Sequence, residues 1–138
     1  MEDRVLRHGF DLLKNDAEYL NARGLAWETV IDGNSKWLLV KGFPIPAGYN
    51  ASEAEVALML PDSYPMTQID MVYVNPALQL KSGAPIGALS LEIHDGRQFQ
   101  RWSRHRTQAN KWRPEVDDLS THLGLVEEWF LKEVRKNG

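Results

Sequence analysis

The segment LPDSYPMTQIDMVYVNP, residues 60–76, contains the end of one predicted strand, a proline-rich corner and a second strand. Before it, apolar residues alternate with their neighbours from Glu53 to Leu60, a pattern typical of a strand with one buried face. Pro61 to Pro65 interrupts this pattern, because proline cannot donate a hydrogen bond to a β-ladder. Ile69 to Val74 then resumes as a further strand, so the segment indicates two strands joined by a rigid corner.

Two more strands are predicted upstream of this segment. Alternating residues from Leu25 to Ile31 are followed by the turn sequence Asp32 to Ser35, and Trp37 to Lys41 forms the return strand. A Gly-Asn pair between two such runs is a typical β-hairpin signal. Together with the strands on either side of the proline corner, this hairpin predicts a four-stranded antiparallel meander.

Amphipathic stripes indicate a helix at each end of the chain. The first ends at Gly24, and the second begins at Pro114, a residue favoured at helix starts. The apolar positions recur at spacings of three and four: Leu6, Phe10, Leu13, Ala17 and Leu20 in the first helix, and Val116, Leu119, Leu123, Val126 and Phe130 in the second. Packing both helices on one face of the sheet gives an α+β fold.

The stretch from Asn75 to Lys111 lacks a clear period. Leu89 to Ile93 is compatible with a short strand, and most of the remainder is predicted to be irregular. Long irregular segments inside compact domains are more often functional than idle. The chemistry of this protein is therefore expected in this loop.

Composition limits the possible classes of protein. The 138 residues suit a single domain spanning 1–138, and the net charge of −3 argues against a protein that coats nucleic acid. The chain contains no Cys, so disulfides and a cysteine nucleophile are excluded. The sequence also shows neither a secretory signal nor an apolar run long enough to cross a bilayer. We therefore expect a cytoplasmic protein that does not interact with membranes.

Three motifs in this order resemble the ubiquitin-conjugating (UBC-like) fold. The residues 60–76 resemble its proline-tyrosine-proline corner, and WRPEVDDLSTHL, residues 112–123, resembles its Trp-x-Pro entry to a helix. QRWSRHR, residues 100–106, is similar to a motif of the prokaryotic family E of ubiquitin-conjugating-like proteins. The resemblance covers nearly the whole chain. It implies an N-terminal helix, the meander, a long irregular active-site loop and a C-terminal helix.

The sequence also departs from the usual conjugating enzymes. It has neither their His-Pro-Asn motif nor their catalytic Cys, and Pro76 lies 36 residues before Trp112, so the active-site region is longer. The resemblance implies three pathway partners: a ubiquitin-like protein, a ubiquitin-activating-like enzyme and a deconjugating metalloprotease. Two interpretations remain open, a transferase that works without cysteine and an inactive module that binds the ubiquitin-like protein or the activating enzyme.

Residues Arg97 to Arg113 include six basic residues and no acid, whereas the other 121 residues carry a net charge of about −9. Such a segment could face an acidic partner or bind carboxylates and phosphates. Alternatively, its arginines pair with acids of the same domain. Phe99 and Trp102 lie between the basic residues, so a domain that binds RNA with salt-dependent affinity is a third interpretation. The binding candidates are Arg101, Trp102, Arg104, Arg106 and Asn75.

Ser103 and His105 form the only Ser/His pair of this loop, and in an extended segment residues i and i+2 point the same way. One hypothesis is that Ser103 accepts the acyl group as an oxyester with His105 as its base. Alternatively, both side chains hydrogen-bond to the loop backbone. His94 beside Asp95 is either an oriented base or a turn residue. Asn75 is either an oxyanion donor or the start of a turn, and we expect neither a metal nor a cofactor.

Overall fold

A computed structural model describes residues 5–138 of the chain, which form one antiparallel sheet of six strands and two α-helices. A single turn of 3-10 helix at Gln108–Asn110 precedes the second α-helix. The elements, in chain order, are α1 (Lys14–Ala22), β1 (Trp27–Asp32), β2 (Ser35–Pro44), β3 (Glu53–Leu60), β4 (Val72–Asn75), β5 (Leu89–His94), β6 (Arg97–Trp102) and α2 (Leu119–Asn137). The α+β class with a helix at each end is therefore confirmed.

The prediction of four strands is wrong, because the sheet has the order β1-β2-β3-β4-β6-β5. The predicted meander corresponds to β1 to β4. Two further strands form a hairpin inside the stretch expected to be mostly irregular. The first corresponds to the short strand that the sequence allowed at Leu89 to Ile93, and the second pairs with β4. Asp95 and Gly96 form the hairpin turn with φ values of 54° and 69°. Positive φ at both central residues is characteristic of the tight two-residue hairpin turn, for which Asp-Gly is a favoured sequence.

The first helix is shorter than its apolar stripe suggested. It begins at Lys14, and the residues before it run in parallel beside β1, where Thr29 donates to the Arg7 carbonyl and accepts from the Gly9 backbone. Leu6 and Leu13 are therefore exposed instead of lying in a helix-sheet interface. An extended segment with apolar residues three or four apart imitates a helical stripe, so the period alone misled the prediction.

The second helix begins at Leu119 rather than at Pro114. Asp118 caps it, because its carboxylate accepts from the Thr121 backbone at 3.2 Å, while the Thr121 hydroxyl accepts from the Asp118 backbone at 3.0 Å. This reciprocal capping satisfies N–H groups that the first helical turn leaves unpaired. The residues from Pro114 to Asp117 form a turn that leads into the cap, and Val116 is exposed there.

Both helices bury their apolar faces against the same side of the sheet. Leu20 of α1 and Leu123 and Phe130 of α2 belong to one buried cluster with alternate residues of the central strands. The opposite side, here called the open face, carries a smaller cluster. Its fully or nearly fully buried members are Val30, Trp37, Leu39, Ala57, Tyr73 and Phe99. The core thus lies mainly between the helices and one face, as the amphipathic stripes predicted.

One buried carboxylate joins both helices to the proline corner. Asp16 accepts a hydrogen bond of 2.6 Å from the Tyr64 hydroxyl, and its other oxygen faces the Leu119 backbone N–H at 3.4 Å. Trp112 donates its indole N–H to the Pro65 carbonyl at 2.9 Å. Burial raises the pKa of Asp16. These contacts fix where the chain after the sheet returns to the helical layer.

Leu123→Ala should lower the free energy of unfolding by about 2–5 kcal/mol, because Leu123 is fully buried between α2 and the sheet. Leu13→Ala should change it by less than about 1 kcal/mol, because that side chain is exposed ahead of α1. Urea unfolding of both variants measures the difference. Equal losses would contradict the observed start of the first helix.

Candidate functional site

Ser103 lies where the chain leaves β6. Its backbone N–H donates to the Ala88 carbonyl at 3.0 Å, and the Arg104 N–H donates to the Trp102 carbonyl, which makes a three-residue turn centred on Ser103. The Ser103 hydroxyl accepts a hydrogen bond of 3.2 Å from Nε of Arg101. Because the oxygen accepts from a guanidinium, its own proton remains available for a base.

A chain of hydrogen bonds connects Ser103 with His94. Beyond its contact with Ser103, Arg101 donates from Nη1 to Glu92 at 2.7 Å, and the second oxygen of Glu92 lies 2.9 Å from Nε2 of His94. The His94 ring packs on the open face against Trp37, with ring centroids 4.2 Å apart. The structure thus brings three predicted site residues together through Glu92.

Glu92 was absent from the sequence-based candidates. It stands two residues before His94, and alternation along a strand places both side chains on one face. The short strand that the sequence allows at Leu89 to Ile93 therefore contained the signal that could have identified Glu92. The Glu92 oxygen that Arg101 contacts reaches the neighbouring strand, because Glu92 is opposite Phe99 and Arg101 is two residues further along β6.

His105 pairs with Asp70 and not with Ser103. Its Nδ1 lies 3.0 Å from one carboxylate oxygen of Asp70, and the side chain is 61% exposed. Within residues 5–138 no hydrogen bond joins Ser103 to His105, since the turn at Ser103 removes the extended geometry on which the i and i+2 argument relied. When Nδ1 donates to the carboxylate, Nε2 is left as an acceptor facing solvent.

A buried histidine holds the segment that carries Asp70. Met71 has a φ of 57°, and its carbonyl accepts a hydrogen bond of 2.9 Å from Nε2 of His122 on α2. Burial lowers the pKa of His122 to about 4. The imidazole is therefore neutral at physiological pH, and it supports the backbone next to the Asp70–His105 pair.

Two of the binding candidates are structural. Trp102 is fully buried against Phe130, and its indole donates to Gln100 at 2.9 Å. Arg104 lies over the Trp102 ring and forms an ion pair of 3.1 Å with Glu133 on α2. Trp102 has no exposed surface and Arg104 is held within the domain, so this packing does not favour their part in a binding surface, which stays a prediction.

Two further arginines of the basic segment also contact the domain itself. Arg97 pairs with Glu55 at 2.6 Å on the open face. Arg106 stacks on Trp112, donates to the Asn110 carbonyl at 3.0 Å, and has two nitrogens without a hydrogen-bond partner in the described chain. Most of the basic segment is therefore neutralised internally, as the alternative interpretation held. Lys111 and Arg113 are exposed and belong to no ion pair within the described residues.

Asn75 lies far from Ser103. Its side chain donates to the Gln98 carbonyl at 2.8 Å, which ties the end of β4 to β6. The register pairs Val72 with Trp102, so Asn75 is about 13 Å from Ser103 along the strands at about 3.3 Å per residue. This geometry does not support its use as an oxyanion donor for an acyl group on Ser103.

The chain is related to the ubiquitin-conjugating (E2) enzymes. A family model described as prokaryotic E2 family E matches residues 12–133. The chain therefore belongs to prokaryotic E2 family E. No curated protein and no solved structure matches it.

Two further findings concern residues 5–138. Neither α-helix there combines the length and the apolar character that crossing a membrane requires. The same residues contain no group of three or more His, Cys, Asp or Glu side chains arranged to hold a metal ion.

The free energy of unfolding should decrease as the pH is lowered, because of His122. Its folded pKa of about 4 lies below the ordinary value of 6.5, so below about pH 6.5 the unfolded chain takes up a proton that the native state does not. Between about pH 7.5 and about pH 5, this effect should remove about 2 kcal/mol.

Urea unfolding at both pH values tests the effect. In His122→Gln, the fall in unfolding free energy between the two pH values should be smaller by about that amount. The matched variant His8→Gln, at an exposed position, should retain the full fall. A pH dependence that His122→Gln leaves unchanged would contradict the buried neutral imidazole.

Charge reversal at Arg104 should destabilise the fold. Arg104→Glu places a second carboxylate beside Glu133, whose side chain is largely buried, and should cost roughly 2 kcal/mol or more. Lys111→Glu, at an exposed position without an ion pair, should have almost no effect. The double variant Arg104→Glu with Glu133→Arg should recover part of the loss in thermal unfolding, and an absence of recovery would show that the pair contributes nothing.

Proposed function

We propose that this protein acts as a cysteine-free transferase in a bacterial ubiquitin-like conjugation pathway, with Ser103 as the acyl acceptor. Its partners in the proposal are a ubiquitin-like protein and a ubiquitin-activating-like enzyme, with a metalloprotease that reverses the linkage, in the cytoplasm. Membership of prokaryotic E2 family E supports the class of reaction. The choice of residue rests on the local geometry.

The Asp70–His105 pair is the observation that carries the proposal. A carboxylate that orients an imidazole through Nδ1 leaves Nε2 ready to take a proton, which is the arrangement of a general base. His105 is largely exposed and follows Ser103 by two residues. Arg101, two residues before Ser103, supplies a positive charge already in contact with the hydroxyl oxygen.

In the proposed step, Oγ of Ser103 attacks the activated C-terminal carbonyl carbon of the ubiquitin-like protein. A C–O bond forms, and the bond to the leaving group on the activating enzyme breaks. The hydroxyl proton passes to Nε2 of His105, for which the loop after Ser103 must bring the imidazole within hydrogen-bond distance. The Arg101 guanidinium stabilises the negative charge that develops during attack.

A second function, that of a binding module without chemistry, is favoured by a different observation. The Ser103 hydroxyl contacts Arg101, and no hydrogen bond to His105 is formed in the described chain. On this alternative, the Arg101 and Glu92 contacts serve only to hold the hairpin. The protein would then bind the ubiquitin-like protein or the activating enzyme and transfer nothing.

Incubation with the activating enzyme, the ubiquitin-like protein and ATP distinguishes the two functions. The transferase should form an adduct that survives thiol reducing agents and is released by mild hydroxide, as an oxyester is and an amide is not. Ser103→Ala should abolish the adduct. His105→Ala should slow its formation by roughly 10²–10⁴-fold, the usual effect of losing a general base, and Asp70→Asn should slow it to a smaller extent.

Ser90→Ala is the matched control, because Ser90 is an exposed serine of β5 opposite Arg101. It should form the adduct at the normal rate. An adduct that persists in Ser103→Ala would assign the chemistry to another residue. If the wild type forms none with partners shown to be active, the binding module replaces the transferase.

A further inference from the structure

The two edge strands of the sheet differ in whether another segment of the chain covers them. The outer side of β1 is covered by the preceding chain, where His8 bridges to Thr29 in parallel. The other edge is β5, which pairs with β6 alone among the strands of residues 5–138. Natural edge strands are usually protected by Lys, Pro or a bulge. The residues Leu89–His94 include neither Lys nor Pro, and their register with β6 is regular.

This unprotected edge presents apolar side chains to solvent. Leu91 is 59% exposed and Ile93 is 71% exposed, and alternation places them with Leu89 on the helix-facing side of the strand. Glu92 and His94 point to the open face, where they take part in the hydrogen bonds to Arg101. The edge strand is therefore apolar on one side and polar on the other. It suits pairing with a strand in which apolar and polar side chains alternate.

A pocket adjoins the apolar side of β5. It is open, has a volume of about 390 Å³, and lies between the hairpin and the loop that precedes it. Leu89 and Gln100 form its floor on the hairpin side, and Gln100 is directly opposite Leu91. The loop contributes Ala84, Pro85 and Ile86. The pocket thus lies at the Leu89 end of β5, on the side to which the apolar residues of the strand point.

The length of the β5 edge favours a peptide strand over a second copy of this chain as its binding partner. Six residues in extended conformation span about 20 Å. A stable dimer buries about 800 Å² on each partner, which is roughly a tenth of the 7869 Å² surface of this chain. One short strand edge offers only a fraction of that area to a second copy. A peptide strand needs less, because backbone hydrogen bonds supply its affinity and a pocket supplies its specificity.

We propose that β5 is a docking edge for an extended peptide segment of a partner protein, which adds a seventh strand to the sheet. Alternate residues of the segment are aliphatic, and one of them enters the pocket beside Leu89. This docking does not depend on the transfer chemistry of Ser103.

A fluorescein-labelled peptide of nine residues tests the proposal, with Leu and Val alternating with Thr and a Lys at each end. Fluorescence anisotropy should show saturable binding to the full chain, and hydrogen exchange should slow at the β5 amides. Leu91→Lys should weaken binding at least tenfold. Ile31→Lys, on β1 and at a residue that is 56% exposed, is the matched control and should stay within twofold of wild type.

Two further arms keep the result unambiguous. Ile93→Thr repeats the loss of apolar surface without adding charge, and should also weaken binding. A peptide N-methylated at alternate backbone amides retains its side chains but cannot pair as a strand, and should not bind. Thermal unfolding confirms that each variant is folded.

Several results would overturn the proposal. The first is an absence of saturable binding, and the second is equal weakening by Leu91→Lys and Ile31→Lys, which would indicate a non-specific apolar contact. Undiminished binding of the N-methylated peptide would exclude strand pairing. A dimer in sedimentation equilibrium that Leu91→Lys dissociates would assign the edge to a second copy of the chain.

Discussion

The pairing of β6 with β4 is the constraint on which the rest of the site depends. The register sets Val72 opposite Trp102 and Tyr73 opposite Arg101. Alternation then sends Trp102 into the main core and Arg101 to the open face. Because the strand ends one residue before Ser103, that hydroxyl lies at the margin of the sheet. A shift by one residue would exchange these two faces and bury a guanidinium under α2.

The hairpin explains why a segment so rich in arginine is not a basic surface. Glu55 on β3, Glu92 on β5 and Glu133 on α2 each accept from a different arginine. Individual ion pairs of this kind contribute little to stability when exposed. Their common effect is to specify the register of the hairpin and its position against α2, since each pair forms only in the observed arrangement.

Some strand residues are polar and yet buried, because hydrogen bonds satisfy their side chains. The sequence alone could not predict the strands that contain them. The strands β1 to β4 were predicted from their apolar residues and from the turn signals between them, as was the apolar face of α2. In β6 the buried alternate positions include Gln100, whose amide is satisfied by the Leu78 backbone at 2.9 and 3.1 Å. An apolar period cannot detect such a strand. Without β6, the internal pairing of Arg101 with Glu92 could not be foreseen.

The partner of His105 lay beyond sequence reasoning for another reason. Asp70 precedes it by 35 residues, and the two meet only because Val72 and Trp102 pair in the sheet. The choice of Ser103 as a candidate rested on the motif around it, and that motif gave no sign of the turn centred on this residue.

A hydroxyl differs from a thiol in the help that it needs from its surroundings. A thiolate forms readily near neutral pH, whereas a serine requires a base to take its proton and a positive charge near the carbonyl oxygen, on which negative charge develops during attack. In the proposed transferase these requirements fall to residues on either side of Ser103, with Arg101 held rigidly by β6 and His105 on the exposed loop. The guanidinium of Arg101 is therefore fixed, whereas the imidazole of His105 has to move before it can take the proton of Ser103. A partner that moves the loop after Ser103 would control the reaction without touching the serine.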